Sequence, residues 1–450
     1  MQHHLVGAGP GGGYRAPRGP RRGPGVAPMP NKGERLEFLA PHLLRSQFLR
    51  PGVVRAGLRL GGAQHLPSWA RLQFVNAGVS PADLDLVLRR VTSLESWVSE
   101  WESLGWRHEA DGHRDLELGE RAGATAHFLA ATAAFSFAQH VLFLEVVRKR
   151  GLHEACTRVY EEAARLLDPP ARIFEVIHRR RVMRGWLRIP AGDGPAPVVV
   201  LFHGTNSVKE ELHGWSEALL ARGLATLAFD GPGMGQTFHR LSMVAEPRPV
   251  WDSIRRAIEA EPALDPGAVG LFGNSLGGFL AIRMAVHDPR LRGVAAVSPP
   301  HSVSVYWNYT LAGMRRELAA LYQVPEEEMG RAAERMTLTG VLPTLRVPLL
   351  VVGGGHDIVT PGEEARRIFE EARCERRLLY YPDGLHECFN MLGDLQPRVA
   401  GWLADRLGLR AAAPLVAADP LPPAAPTHWA WWQRAPGGRI EVESRDAAAC

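Results

Sequence analysis

Three residue types that together turn a hydroxyl into a nucleophile occur in this chain in serine–acid–histidine order. Ser275 sits at the centre of Gly273-Asn274-Ser275-Leu276-Gly277, after the apolar run 268–272 and before Phe279-Leu280-Ala281-Ile282. A G-x-S-x-G between a buried strand and a helix holds the serine on a sharp corner with its hydroxyl exposed above the sheet. Glycines flank it because side chains there would collide where strand and helix pack closely. Asp357 follows the apolar run 349–352, and His386 follows 378–381. The expected roles follow from the chemistry. Ser275 attacks a carbonyl carbon, His386 takes its proton and returns it to the leaving group, and Asp357 holds the imidazole in the useful tautomer. His356 and Asp383 are the weaker alternatives for base and acid. Cys388, close behind His386, reads as a packed small side chain rather than a second nucleophile.

The tetrahedral intermediate needs two backbone N–H donors. Leu276, directly after the nucleophile, is expected to give one. Thr205, in His203-Gly204-Thr205-Asn206-Ser207 after the apolar run 198–202, is expected to give the other, with Gly204 permitting the turn. His203, Asn274, Tyr306 and Trp307 are the candidate substrate contacts. Asp230-Gly231-Pro232-Gly233-Met234-Gly235 lacks the G-K-[ST] ending of a phosphate loop and reads as a structural turn.

These residues need a sheet to carry them. The runs 198–202, 224–229, 269–272, 294–297, 349–352 and 378–381 alternate with helical stretches, the pattern of a mostly parallel sheet covered by helices on both faces. Residues 173–177 and 182–189 read as an antiparallel pair in front of it. The expected fold class is therefore α/β, and ligands on such sheets bind beyond the carboxyl ends of the strands. Before the sheet, residues 34–170 are helical in pattern. Ser80 is an N-cap ahead of Pro81, and Trp97 and Trp101 share a helix face. The uncharged stretch 122–144 is long enough for a membrane span. His127, Thr132, Ser136, Gln139 and His140 interrupt it, so a buried helix is expected instead. The rhythm breaks again at 301–348, where inserted helices are expected to form a lid over the site. The domain reading is a disordered extension at 1–33, a helical N-terminal domain at 34–170, a catalytic domain at 171–410 and a disordered Ala/Pro-rich tail at 411–450.

Composition excludes several classes. Lys and Arg number 52 against 48 Asp and Glu, a net charge of +4 over 450 residues, with no nucleic-acid signature. The glycines at 7, 9 and 11–13 have no strand before them and no helix after, so no dinucleotide cofactor is expected. The four cysteines form no C-x-x-C, so neither a metal nor a disulfide framework is expected, and free thiols fit a reducing cytoplasm. No signal-peptide core is visible in the first 33 residues.

The chain resembles the α/β-hydrolases. More narrowly, it resembles the branch with 2,6-dihydroxypseudooxynicotine hydrolase, fungal polyketide-shortening pigment hydrolases and esterase FrsA-like proteins. Leu167-Asp168-Pro169-Pro170, Gly185-Trp186-Leu187, the stretch from His203 to Glu211, Phe229-Asp230-Gly231-Pro232-Gly233, Gly273-Asn274-Ser275-Leu276-Gly277-Gly278 and the Asp357 and His386 loops carry the likeness. The resemblance implies a homodimer whose helical domain helps build the pocket. It also implies two chemistries on a small-molecule carbonyl substrate: hydrolysis of an ester or thioester, or hydrolysis of a carbon–carbon bond in a β-dicarbonyl or polyketide-like compound. Carbon leaves only if its carbanion is delocalised, and relatives that cleave such bonds can use an extra carboxylate near the triad. Here no Asp or Glu occurs between Asp288 and Glu317. Glu210, Glu211 and Glu317 are the candidate substitutes, with Tyr306 or His301 as alternative proton carriers. Acyl transfer from the same acyl-enzyme, and a non-catalytic scaffold, are the competing functions.

Overall fold

The computed structural model describes residues 56–409, except 67, 143–144, 244–245, 308–314, 317, 320–321, 323 and 358, together with 440–444. Ahead of the sheet lie the helices α1 (Ser68–Asn76), α2 (Pro81–Arg90), α3 (Leu94–Glu117), α4 (Arg121–Gln139) and α5 (Val146–Ala164). Ser80 caps α2 by accepting the Asp83 N–H at 3.1 Å, and Pro81 follows, as the sequence predicts. The uncharged stretch becomes α4, buried between neighbours. Among the described residues no helix is long and apolar enough to cross a membrane. Trp101 stacks on Phe74, and Trp97 and Phe137 pack against this pair at steeper ring angles.

The close approach of α3 and α4 rests on two glycines. A Cβ on Gly105 would lie 2.7 Å from the Phe135 ring, and one on Gly112 would lie 2.7 Å from the Phe128 ring. Both phenyl groups are fully buried and have nowhere to retreat. An alanine at 105 gains about 1 kcal/mol of helix propensity but overpacks this contact at about 1–3 kcal/mol. Gly105→Ala is therefore expected to lower the urea midpoint, where an exposed helical glycine would raise it.

The sheet begins at β1 (Ala171–His178) and β2 (Arg181–Arg188), an antiparallel pair. It continues with β3 (Ala196–Phe202), α6 (His213–Leu220), β4 (Ala225–Phe229), α7 (Arg248–Glu259), β5 (Leu264–Asn274), α8 (Leu276–Ala285) and β6 (Gly293–Val297). Then come α9 (Ser304–Trp307), α10 (Glu326–Arg335), β7 (Leu349–Gly354), α11 (Gly362–Glu371), β8 (Arg376–Tyr381) and α12 (Leu392–Arg406). With β9 (Ile440–Ser444) last, the order across the sheet is β1-β2-β4-β3-β5-β6-β7-β8-β9, and the six strands from β4 to β8 run parallel. Side chains alternate along each strand. In β3, Val198, Val200 and Phe202 face a core shared with α7, α8 and α11, while Val199 and Leu201 face a second core shared with α6 and α12. The inserted segment 301–348 contributes Met329, Leu338 and Leu342 to the first of these cores.

One expectation is corrected. Residues 440–444, inside the Ala/Pro-rich tail read as disordered, form β9 and pair antiparallel with β8. Ile440-Glu441-Val442-Glu443 alternates apolar and polar, the period of a half-buried strand, within a composition that hides it. The expected extension 1–33 and the rest of the tail lie outside the described residues.

Candidate active site

The candidate catalytic groups follow the carboxyl ends of the parallel strands. Phe202, Phe229, Asn274, Val297, Gly354 and Tyr381 end six parallel strands, and the loops that follow carry Thr205, Asp230, Ser275, Ser298, Asp357 and His386. Ser275 turns the chain from β5 into α8 at φ 50, ψ −120, a conformation that L-residues hold only under constraint. Its N–H is tied to the Val297 carbonyl at 2.8 Å. The flanking glycines are steric necessities. A Cβ on Gly273 would meet the Gly277 backbone, and one on Gly277 would meet the Phe202 carbonyl. Both obstacles are backbone and cannot swing aside. Gly277→Ala is accordingly expected to cost about 3 kcal/mol, the upper end of overpacking, read as a fall in the urea midpoint with an unchanged m-value.

His386 donates from Nδ1 to both Asp357 oxygens, at 3.0 and 2.9 Å. A carboxylate only accepts, so Nδ1 carries the proton and Nε2 keeps a lone pair. Asp357 is buried and is aimed by the Val359 and Thr360 N–H groups at 2.8 and 2.7 Å. Asp357 is thus the carboxylate brought to His386, while Asp383 accepts from Asn390 through its backbone carbonyl. Cys388 is fully buried and burial drives its thiol pKa up, which removes it as a thiolate nucleophile.

Leu276 opens α8, so its N–H is one of the first four of the helix that have no intrahelical acceptor. Opposite it, the 203–211 segment is clamped from two sides. Asn206 holds φ 62, and three groups from the helical segment grip it. Gln139 donates to its carbonyl at 2.9 Å, Lys149 to its Oδ1 at 2.5 Å, and its own amide donates to the His140 carbonyl at 2.7 Å. Below the segment, Asp230 accepts from His203 at 3.0 Å and from Lys209 through both backbone and ammonium at 2.9 Å. Burial opposes the Asp230 charge, but Lys209 and His203 outweigh it and hold this carboxyl well below its ordinary range. Burial likewise opposes a charged His203, but the bond to Asp230 raises its pKa.

The candidate substrate contacts therefore separate. His203, expected at the substrate, has both ring nitrogens engaged internally, Nδ1 with the Gly204 carbonyl and Nε2 with Asp230. Trp307 is buried in the main core, with its indole against Gly330 of α10. The Tyr306 side chain and Glu317 lie outside the described residues. His301 is fully buried and bonded to Glu371 at 2.9 Å. Glu210 accepts from Trp186, Thr157 and Lys209, and Glu211 from Ser136 and His140. Asn274 stays at the site and donates to Glu387 Oε2 at 3.1 Å.

Glu387 is the residue that sequence reasoning misses. Its Oε1 lies 4.0 Å from His386 Nε2. A Cβ placed on Gly204 would be 3.1 Å from that oxygen and 3.2 Å from Ser275 Cβ, so the carboxyl and the serine both border Gly204. Partial burial raises its pKa, Glu211 and Asp357 add to the rise, and His386 opposes it. Adjacent residues normally point apart. Left-handed backbone at Glu387 (φ 55) and Cys388 (φ 48) folds this one back. Among the described residues, one His/Asp group (His108, Asp111 and His127) brings potential metal-ligand atoms together, on α3 and α4, and its histidines already bond each other and Asp83.

A parallel sheet with a strained serine at the end of β5 and an acid–histidine pair after β7 and β8 defines an α/β-hydrolase. The chain belongs to the esterase FrsA-like family, whose model matches residues 69–310. It is 29% identical over 345 residues to 2,6-dihydropseudooxynicotine hydrolase of Paenarthrobacter nicotinovorans, covering 76% of this chain and 92% of that one. It is 24% identical over 388 residues to esterase FrsA of Escherichia coli O139:H28, covering 76% and 89%. The crystal structure of 2,6-dihydroxy-pseudo-oxynicotine hydrolase superposes with a TM-score of 0.68 at 27% identity, over 78% of this chain and 99% of that one. The protein is thus a member of a hydrolase family.

Proposed function

We propose that the protein is a serine hydrolase that cleaves a carbon–carbon bond beside a ketone through an acyl-enzyme on Ser275. The observation that carries this beyond simple ester hydrolysis is Glu387, a raised-pKa carboxyl 4.0 Å from His386 that borders Gly204 together with Ser275. Ser275 Oγ bonds to the ketone carbon as its proton passes to His386 Nε2. The Leu276 and Thr205 N–H groups hold the resulting oxyanion. Collapse re-forms the carbonyl and breaks the carbon–carbon bond. The electron pair leaves as an enolate, whose oxygen takes the Glu387 proton. His386 returns its proton to Glu387 once their separation, 4.0 Å here, closes to hydrogen-bond reach; it then deprotonates a water that attacks the acyl carbon and passes that proton to Ser275 Oγ as the acid leaves. The enol tautomerises to the ketone.

The relatives' names, an esterase and a 2,6-dihydropseudooxynicotine hydrolase, support both sub-classes, and ester hydrolysis is the second reading. The helical segment supports a cap role, since Gln139, His140 and Lys149 hold Asn206. A homodimer and a cytoplasmic setting complete the reading. The test offers the purified protein matched panels of nitrophenyl esters and β-diketones and identifies the products by mass. The carbon–carbon reading expects diketones to yield a carboxylic acid and a ketone in equal amounts. Turnover confined to esters replaces it with the second reading.

A further inference from the structure

The hairpin of β1 and β2 turns through Arg179 and Arg180, and Arg181 follows as the first residue of β2. The two turn residues both hold positive φ, 47 at Arg179 and 63 at Arg180. Asn-Gly makes a two-residue turn of this kind with the least strain, because those residues enter the left-handed region most readily. The backbone therefore does not call for arginine here, and strain kept at such a position points to a use for the side chains. All three arginines are exposed, and none makes an ion pair or a side-chain hydrogen bond among the described residues. Nearby arginines are matched, Arg184 with Glu175 and Arg158 with Glu109. His178, just before the turn, is buried against Ser253 of α7 at 3.1 Å and stays out of the tip. Arg256 of α7, also exposed, adds a charge of the same sign beside it.

Behind the turn an apolar pair is left bare. Ile177 and Val182 face each other across the two strands, 72% and 50% exposed, while Phe174, Val176 and Met183 turn into the core. The direction of the hairpin adds to this. Strand β2 runs antiparallel to β4 with Gly185 opposite Phe229, the last residue of β4. Residues 181–184 therefore run past the carboxyl end of β4, by about 13 Å at the usual rise of a strand. The tip overhangs the edge from which the loops of Ser275, Asp357 and His386 leave.

We propose that the outer face of the β1–β2 hairpin docks on an anionic phospholipid surface. Laid on a bilayer by that face, the hairpin puts Ile177 and Val182 into the boundary between headgroups and acyl chains. The arginines beside them then meet the lipid phosphates, and the negative charge of the surface matches theirs. A projecting tip suits a plane of charge, whereas a bound peptide needs a groove or an open strand edge. The inference stands apart from the reaction proposed for Ser275. Docking would bring the overhung edge within reach of compounds dissolved in lipid.

The test needs no turnover. The full-length protein is sedimented with vesicles of phosphatidylcholine alone, or of phosphatidylcholine with phosphatidylserine at about one lipid in three. It is expected to follow the mixed vesicles only, and to be released as added salt screens the charges. Arg179→Asn together with Arg180→Gly gives the turn its least strained sequence. That variant should melt no lower than the parent, while its partition onto the mixed vesicles falls by about 30-fold, roughly fivefold for each arginine. Arg179→Lys with Arg180→Lys should keep the binding, since a point charge serves an anionic surface. Ile177→Thr with Val182→Thr keeps the charge and the β-branching, and should weaken binding by about tenfold at every salt concentration. A parent that does not follow the mixed vesicles overturns the proposal. So does binding that survives Arg179→Asn with Arg180→Gly, which moves it to another basic segment. Capture by poly-glutamate or duplex DNA without vesicle binding assigns the tip to an acidic polymer and overturns it too. Without vesicle binding, a dimer that the turn variant converts to monomer in light scattering gives the face to a second copy of the chain instead.

Discussion

Ser275→Ala is expected to abolish labelling by a tagged fluorophosphonate and to lower turnover of any accepted substrate by about a million-fold, with circular dichroism unchanged. The expectation rests on the local backbone. A serine at φ 50, ψ −120 is held there by Gly273 and Gly277 packed against β3, and by its N–H on Val297. Strain of this kind costs about 1–3 kcal/mol. Removing the hydroxyl leaves that strain in place, so the alanine variant should melt close to the parent. Ser275→Gly relieves the strain and should melt higher while remaining inactive, since the gain exceeds the roughly 0.5–1 kcal/mol that extra glycine freedom costs. Labelling that persists in Ser275→Ala would move the nucleophile elsewhere. A glycine variant that melts well below the parent would show that the corner is not strained.

Most of the sheet is legible because its strands are buried on both faces. Runs such as Val198-Val199-Val200-Leu201-Phe202 announce themselves without alternation. Asp357 and His386 are legible for a related reason, since each stands just past such a run. What stays hidden depends on contacts between distant segments or on single dihedral angles. His203 looked free to meet a substrate until Asp230, on the next loop, took its second nitrogen. Trp307 looked like a pocket wall until Gly330 let α10 pack against its indole. The grip of Gln139, His140 and Lys149 on Asn206 spans more than fifty residues of sequence and leaves no local pattern. Strand β9 is short and lies in a segment whose bulk composition argues for disorder. Glu387 is not legible beside Glu210, Glu211 and Glu317, because the sequence neighbour of a histidine at a strand end ordinarily faces away from it. Two positive φ angles reverse that expectation for Glu387.

Glu387→Gln should therefore split the two chemistries. The glutamine carbonyl can still accept from Asn274, so the loop keeps its geometry, but the side chain can no longer deliver a proton. Hydrolysis of a β-diketone is expected to fall by about 100- to 10,000-fold, the range for losing a positioned general acid. Nitrophenyl ester hydrolysis should fall by less than about tenfold, because nitrophenolate leaves without protonation. The pH profiles carry the sign. Diketone cleavage needs Glu387 protonated, and its pKa lies above the usual carboxylate range because of burial, Glu211 and Asp357. The rate should decline as pH rises through that value, superimposed on the rise that comes from deprotonating His386. In the glutamine variant the residual diketone activity should lose the alkaline decline and keep only the acid limb, which is the shape expected of ester hydrolysis in both proteins. Equal losses on both substrates, with the alkaline limb unmoved, would assign Glu387 to holding Asn274 in place and return the protein to the esterase reading.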